Sequence, residues 1–382
     1  MDDLDDIIKA YDVRGIYPDQ LDATLARNVG AAFVRVLKIA TSDGGPGAVV
    51  VGWDMRPSGP ELVDAFADGV TSQGVDVIKI GLASTDGLYF AAGRLALHGA
   101  MFTASHNPAQ YNGIKLCRPG AAPVGQDSGL ADIKAMIRAG VPTSDGPRGS
   151  ISNRDMLADY AAHLRALVDI ESIRPLTVVV DAGNGMGGHT VPVVLKDLPL
   201  TVIPMYFELD GTFPNHEANP IDPENLRDLQ AAVIAHGADL GLAFDGDADR
   251  CFVVDERGAI VDPSTLTALI AVRELAKSPG ATIIHNLITS RAVPEIVTEH
   301  GGKPVRTRVG HSFIKEMMAS SGAVFGGEHS GHFYFKDFWR ADSGMLAALH
   351  IMDADAHRSE HGCNTVIATK SAIHQHHALV QQ

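Results

Sequence analysis

The chain has 382 residues and is acidic, because 31 Lys and Arg residues face 46 Asp and Glu residues for a net charge of −15. An acidic surface repels nucleic acid and anionic lipid, so neither is expected as a partner. No apolar run reaches the ~20 residues that span a bilayer, and the acidic start MDDLDD is unlike a signal peptide. Three widely spaced cysteines (Cys117, Cys251 and Cys363) favour a reducing cytoplasm, with Cys117 and Cys251 expected to be buried.

A pattern of buried strand, loop, helix and strand occurs three times along the chain. The first unit has a strand at 48–51, a helix that Ser58 is predicted to cap, and a strand at 75–80. The second and third units begin with the apolar strands 177–180 and 282–285. Such units are typical of α/β domains with mixed or mostly parallel sheets, so we predict three similar α/β domains around a central cleft.

Composition sets the expected domain boundaries. The predicted domains are residues 1–150, 151–254 and 255–356, followed by a polar, histidine-rich tail at 357–382. Small and turn-forming residues at 140–153 mark the first boundary. The tail has no periodic pattern and is expected to be poorly ordered.

A glycine-rich loop follows the first strand of the second unit. Gly183, Gly185 and Gly188 satisfy the G-x-G-x-x-G spacing of dinucleotide-binding loops. The segment 189–192, with sequence HTVP, is a poor start for a helix. The loop is therefore predicted to be a structural turn rather than a nucleotide site.

The segment 103–115 (TASHNPAQYNGIK) follows an apolar strand at 100–102. The Asn112-Gly113 dipeptide favours positive φ and predicts a turn that brings Lys115 back beside Ser105. A hydroxyl next to an ammonium group suits a phosphoryl carrier. An ordinary polar turn is the alternative, and spacing alone favours it.

Three carboxylates, on Asp245, Asp247 and Asp249, stand at alternate positions after a strand. In a near-extended loop they point to one side and can bind a hard cation, for which Mg²⁺ completed by a phosphate oxygen fits best. A calcium-binding EF-hand is disfavoured because Arg250 occupies the position that requires glycine. Arg250 is instead predicted to hold a phosphate.

Two further segments carry polar groups in tight loops. In 326–332 (GGEHSGH), Glu328 and Ser330 suit a loop that binds sugar hydroxyls, although a tight turn with surface histidines is equally possible. In 310–312, Ser312 is predicted to cap a helix and to leave His311 at its N-terminal end, where phosphate is favoured.

Together with the segment 11–15 (YDVRG), these motifs occur in an order that closely resembles the α-D-phosphohexomutases, and within them the bacterial phosphomannomutase/phosphoglucomutase group. The resemblance extends from residue 7 to about residue 350. It implies an isomerase that interconverts hexose 6-phosphate and hexose 1-phosphate, of mannose and also of glucose. The reaction would pass through a phosphoserine at Ser105 and a hexose 1,6-bisphosphate, which is also the activator.

The same resemblance assigns roles to individual residues. It implies catalytic roles for Ser105, Lys115, Arg14, His311 and His332, substrate contacts for Tyr11, His106, Asn107, Arg250, Glu328 and Ser330, and a Mg²⁺ site made by Asp245, Asp247, Asp249 and Ser105. A sugar phosphate is the implied partner.

One departure from the family pattern concerns the end of the chain. Family members carry a fourth domain whose Arg-x-Ser-x-Thr-Glu-Pro-like loop holds the non-reacting phosphate, and no such loop follows His332. The fourth domain is therefore expected to be missing, which predicts weak substrate affinity and slow turnover. The alternative function is a catalytically weak protein or fragment that binds metal and sugar phosphate. A phosphatase is disfavoured because no Asp-x-Asp-x-Thr nucleophile motif occurs.

Overall fold

Three β-sheets, each covered by helices, organise the part of the chain that the computed structural model describes, residues 4–39 and 47–356. The predicted tail at 357–382, with Cys363, lies outside these residues. Within them, no helix has both the length and the apolar character needed to cross a bilayer. Cys117 and Cys251 are free and buried, as their apolar surroundings predict.

The first sheet has seven strands in the order β1-β5-β4-β2-β3-β7, and β6 pairs with β5 at its side. Its elements are helices α1 (Leu4–Ile7), α2 (Ala23–Leu37), α3 (Gly59–Ser72), α4 (Thr85–Leu95) and α5 (Leu130–Ala139), and strands β1 (Val13–Ile16), β2 (Ala48–Trp53), β3 (Asp76–Leu82), β4 (His98–Phe102), β5 (Tyr111–Arg118), β6 (Ala122–Pro123) and β7 (Ile151–Asn153). The central strand β2 is a run of valines buried on both faces, which is what a sheet with helices on both sides requires.

The second and third sheets have five strands each, in the orders β12-β11-β10-β8-β9 and β14-β13-β15-β16-β17. The second domain contains α6 (Leu157–Ala166), α7 (Gly187–Val194), α8 (Arg227–His236), β8 (Leu176–Asp181), β9 (Leu200–Met205), β10 (Leu240–Phe244), β11 (Cys251–Asp255) and β12 (Ile260–Val261). The third contains α9 (Pro263–Lys277), α10 (Ala292–Glu299), α11 (His311–Ser321), α12 (Gly344–Ala356), β13 (Thr282–Asn286), β14 (Lys303–Thr307), β15 (Phe325–Gly327), β16 (Phe333–Phe335) and β17 (Ala341–Asp342).

The three sheets repeat one topology. Each contains a set of three parallel strands (β2, β3 and β4; β8, β9 and β10; β13, β14 and β15), and the last of each set is followed directly by an antiparallel neighbour, which is β5, β11 or β16. The first sheet adds the edge strand β7, which runs parallel to β3. The prediction of three similar α/β domains with mixed sheets is confirmed. One cluster of buried side chains runs through all three domains and includes Phe90, Tyr160, Phe244 and Phe333. This shared core fixes the domains against one another.

The turn predicted at Asn112-Gly113 is wrong, because both residues lie inside β5. Gly113 pairs with Arg14 of β1. A Cβ at Gly113 would lie 2.6 Å from the Val13 carbonyl oxygen and 2.7 Å from that of Thr103. The glycine is therefore needed because neighbouring backbone segments approach closely within the sheet, and it does not reverse the chain.

Local predictions at three helix starts are also corrected. Ser58 makes no side-chain cap of α3, and its hydroxyl accepts a hydrogen bond from Asn112 instead. The segment predicted as a plain turn after Gly183 continues into helix α7, which contains Pro192. Helix α11 begins at His311, so Ser312 lies within the helix and not at its cap.

Candidate active site

The chemically important loops occupy the same place in each domain. Ser105 follows β4, the three aspartates follow β10, and Glu328 follows β15. Each loop leads from a parallel strand into its antiparallel neighbour. Because the topology is repeated, packing the three domains together brings the three loops to one cleft.

The first two loops meet directly, although Ser105 and Asp245 are 140 residues apart in the chain. The Ser105 Oγ donates a hydrogen bond of 2.8 Å to Asp245 Oδ2. Gly246 makes this approach possible, because a Cβ there would lie 2.4 Å from the Ser105 carbonyl oxygen. The hydroxyl and the acidic triplet therefore face one another across the boundary between the first and second domains.

Ser105 is held in an uncommon backbone conformation. Its φ is +51°, in the left-handed region, and only 6% of the residue is exposed. Its N–H donates to Thr103 Oγ1 at 2.8 Å, and His106 Nδ1 lies 3.2 Å from its Oγ. Burial, together with Arg250 and Arg14, lowers the pKa of His106 to about 3, so its imidazole is neutral at pH 7.

The acidic triplet Asp245, Asp247 and Asp249 is buried, and each residue offers one oxygen within 4.8 Å of the others. Asp247 Oδ1 and Asp249 Oδ1 have no hydrogen-bond partner. Burial raises the pKa of Asp245 to about 8, an effect that Arg250 only partly opposes. An all-oxygen donor set with two unpartnered buried carboxylate oxygens fits a hard divalent cation such as Mg²⁺.

Two cationic side chains border the triplet. The Lys115 Nζ donates to Asp247 Oδ2 at 2.7 Å and to Asp249 Oδ2 at 2.8 Å. Burial alone would lower the pKa of Lys115, but these carboxylates raise it well above its usual value, so the ammonium keeps its proton. Arg250 donates through Nε to Asp245 at 2.8 Å, whereas its buried Nη2 has no partner.

The cleft in front of Ser105 has a volume of about 420 Å³. It is lined by Lys9, Tyr11, Asp12, Arg14, Tyr89, Ser105, His106, Asn107, Lys115, Asp249, His332 and Asp342. Arg14 spans part of it, donating to Asn107 Oδ1 and to Asp12 Oδ2 at 2.5 Å each. Predicted site residues from the first, second and third domains thus border one space.

In the third domain, Glu328 is 2% exposed, and its carboxylate accepts three hydrogen bonds. The donors are Asn286 Nδ2 at 3.1 Å, the Gly310 N–H at 3.1 Å and the Tyr334 hydroxyl at 2.7 Å. These bonds hold the carboxylate in one orientation at the edge of the third sheet.

The neighbouring residues of this loop link the third domain to the second. Ser330 Oγ lies 2.9 Å from His332 Nδ1, and His332 Nε2 lies 3.6 Å from Asp249 Oδ1. The side chain of His311, also predicted to be catalytic, lies outside the described part of the structure.

Sequence reasoning missed Thr85, which is fully buried next to the triplet. Its hydroxyl donates to Asp247 Oδ2 at 2.6 Å, and its N–H donates to the Asp247 carbonyl oxygen at 3.0 Å. Thr85 follows the carboxyl end of β3, a parallel neighbour of β2. Ligands in α/β folds bind at the carboxyl ends of the parallel strands, so the position of Thr85 after β3 could have marked it as a site residue.

The described residues form three α/β domains around one cleft, and comparison with known proteins identifies the family. Models of the phosphoglucomutase/phosphomannomutase alpha/beta/alpha domains I, II and III match residues 5–142, 158–258 and 262–369. The chain belongs to the phosphoglucomutase/phosphomannomutase family. It is therefore an enzyme of the mutase class of isomerases, as the resemblance of its motifs implied.

Individual relatives agree with this assignment. The chain is 41% identical over 353 residues to a phosphomannomutase of Salmonella montevideo and 42% identical over 346 residues to a protein of Xanthomonas campestris named phosphohexose mutases. Each alignment covers 90% of this chain and 76% of the relative. A phosphoglucomutase/phosphomannomutase family protein from Burkholderia thailandensis superposes with a TM-score of 0.87 at 36% identity, covering 96% of this chain and 79% of that one.

Proposed function

We propose that this enzyme interconverts hexose 6-phosphate and hexose 1-phosphate, with mannose phosphates as its main substrates and glucose phosphates as further ones. The observation that carries the proposal is the 2.8 Å contact between Ser105 Oγ and the acidic triplet. Relatives that are named phosphomannomutase support the choice of mannose phosphates.

In the proposed reaction, Ser105 carries a phosphoryl group. In the first step the bond from phosphorus to the Ser105 oxygen breaks while a free sugar hydroxyl forms a new bond to phosphorus and loses its proton, and the Ser105 oxygen takes up a proton. The product is a hexose 1,6-bisphosphate, which turns over in the cleft. In the second step its other phosphoryl group returns to the Ser105 oxygen, which gives up its proton, and the released sugar oxygen regains one.

Proton transfer and charge stabilisation fall to different residues. His332 borders the cleft and is proposed, with His311, to accept and return the sugar proton. Lys115 holds its proton too tightly to act as a base at neutral pH, so its proposed role is to stabilise charge on the transferring phosphoryl group. Arg14, which also lines the cleft, adds a second positive charge.

Asp245, Asp247 and Asp249, with an oxygen of Ser105 or its phosphate, are proposed to hold Mg²⁺. When bound, the cation would neutralise negative charge on the phosphoryl oxygens. Arg250 presents a buried Nη2 without a partner, a donor suited to a phosphate oxygen.

Contacts to the substrate are assigned to groups that line or flank the cleft. His106, Asn107 and Tyr11 are proposed to contact the sugar phosphate, and Glu328 and Ser330 to bind sugar hydroxyls. The three hydrogen bonds that orient Glu328 leave its Oε2 with a single protein donor, and a carboxylate oxygen can accept a second.

The proposal is tested by a coupled mutase assay with mannose 1-phosphate, Mg²⁺ and glucose 1,6-bisphosphate as activator. We expect turnover, and one added phosphate on Ser105 by mass spectrometry. Ser105→Ala should abolish both, whereas Ser72→Ala, which removes a hydroxyl bonded to Gly69 in α3, should keep both. Absence of turnover in the unmodified chain would overturn the proposal, and substrate binding without turnover would favour the alternative of a weakly catalytic binding protein.

A further inference from the structure

Arg56, in the loop after β2, has a completely buried side chain with no role in the proposed chemistry. Its guanidinium donates to four backbone carbonyl oxygens: those of Ser105 at 2.9 Å, Asn107 at 2.7 Å, Pro108 at 2.9 Å and Tyr111 at 2.9 Å. The first three belong to the connection from β4 to β5, which carries the proposed nucleophile, and Tyr111 is the first residue of β5.

The charge of Arg56 is compensated inside the protein. Its Nε donates to Asp54 Oδ2 at 3.2 Å, and Asp54 is also fully buried. A buried charge is costly unless it is paired and hydrogen-bonded, and here the pairing and the five bonds satisfy the guanidinium. Lysine lacks the planar arrangement of donors that reaches four carbonyl oxygens at once. The site is therefore specific for arginine.

Arg56 also contacts the domain that carries the acidic triplet. Its guanidinium lies 5.2 Å from the centre of the Phe213 ring, and a Cβ on Gly211 would lie 2.7 Å from the Arg56 Cα. Phe213 in turn lies against Gly246, between the first two aspartates. One side chain thus contacts both the Ser105 loop and the second domain where they meet.

We infer that Arg56 is a positioning residue for phosphoryl transfer. It holds the carbonyl oxygen of Ser105, and with it the left-handed backbone conformation that directs the Ser105 Oγ to Asp245. Arg56 itself lies outside the set of residues that line the cleft. The inference rests on the proposed role of Ser105.

The test is Arg56→Lys, which keeps the charge and removes most of the carbonyl bonds. Because displacement of a reacting group by about 1 Å costs on the order of 100-fold in rate, we expect kcat to fall by about that factor. KM for the sugar phosphate and the Mg²⁺ concentration for half-maximal activity should change much less than kcat, because Glu328, Ser330 and the three aspartates lie outside the connection that Arg56 anchors. Phosphorylation of Ser105 by glucose 1,6-bisphosphate, followed by mass spectrometry, should slow by the same factor as kcat.

Arg165→Lys is the matched control. Arg165 also donates to three backbone carbonyl oxygens, those of Val193, Val194 and Lys196, but at the far end of α7 in the second domain. The control should lose stability without losing kcat. A wild-type kcat in Arg56→Lys, or equal losses of kcat in both variants, would overturn the inference.

Hydrogen–deuterium exchange provides a measurement that needs neither activity nor a variant. In the unmodified enzyme, the amides of Ser105, Asn107 and Tyr111, which donate to Thr103, Ala104 and Pro108, should exchange slowly, because the carbonyl bonds of Arg56 oppose local opening of this segment. Rapid exchange there would overturn the inference even if Arg56→Lys does not fold. If exchange is slow but the coupled assay shows no turnover, the anchoring by Arg56 is supported and the proposed function is refuted.

Discussion

At the scale of single residues, the cleft is governed by how buried charges are compensated. Asp247 and Asp249 each accept a hydrogen bond from Lys115, and each keeps one buried oxygen without a partner. The ammonium thus neutralises part of the triplet and leaves the remaining oxygens for a cation. Lys115 is consequently a structural requirement of the site as well as a proposed catalytic group.

Lys115→Met is expected to destabilise the protein by about 3–5 kcal/mol, because it leaves two buried carboxylates without their cation. Added Mg²⁺ should restore part of this loss by supplying positive charge at the same oxygens. Chemical denaturation with and without Mg²⁺ measures both effects. Lys79→Met, which breaks an ion pair with the exposed Asp64, is the control and should cost less than about 1 kcal/mol. Equal losses in the two variants would contradict this account.

At the scale of elements, the site depends on loops that approach one another more closely than side chains allow. The loop from β10 to β11 passes over the Ser105 carbonyl oxygen at Gly246. The repeated topology explains why these two loops meet, but the distance between them is set by the missing Cβ.

Gly246→Ala is expected to separate the two loops, because its Cβ would lie 2.4 Å from a backbone oxygen that cannot move independently. The loss of stability should be about 1–3 kcal/mol, the usual range for overpacking, and mutase activity should fall at least tenfold. Thermal unfolding and the coupled assay are the measurements. Gly59→Ala, where the added Cβ would have its nearest neighbour at 3.4 Å, should leave both unchanged. Wild-type activity in Gly246→Ala would show that the loops need not touch.

At the scale of the whole molecule, Asp86 connects the three domains. This fully buried carboxylate, in the first turn of α4, accepts hydrogen bonds from Ser84 of its own domain, from the Tyr160 hydroxyl of the second domain at 2.7 Å, and from Ser343 of the third at 2.6 Å. No cation pairs with it among these contacts. Burial raises the pKa of Asp86 to about 6, although the three hydroxyl donors lower it.

The raised pKa predicts a specific pH dependence of stability. Between pH 3.8 and about 6 the native state keeps a proton on Asp86 that the unfolded chain has released, so the contribution of this residue is greatest at low pH and declines as pH rises through about 6. Relative to Asp86→Asn, the unmodified protein should therefore lose about 1 kcal/mol of stability between pH 5 and pH 7.5. Denaturation of both proteins at the two pH values tests this, and a constant difference would contradict it.

The success of sequence reasoning depended on whether a residue's partners lie near it in the chain. The strand and helix pattern of the three units and the segments around Ser105, Asp245 and Glu328 were recognised because each is a short motif next to an apolar strand. Arg56 and Asp86 were missed, because their hydrogen-bond partners come from other segments of the chain or from other domains. The Asn112-Gly113 turn failed because local preference for positive φ was overridden by pairing with β1.

The order of strands and helices, the burial of the valine-rich strands and the chemical types of the cleft residues follow from the sequence itself, since hydrophobic periodicity and motif spacing are local properties. The distance between Ser105 and the aspartates, the state of charge of Lys115 and the three-domain junction at Asp86 were decided only by tertiary structure. They depend on desolvation and on contacts between loops from different domains, which no local pattern of residues encodes.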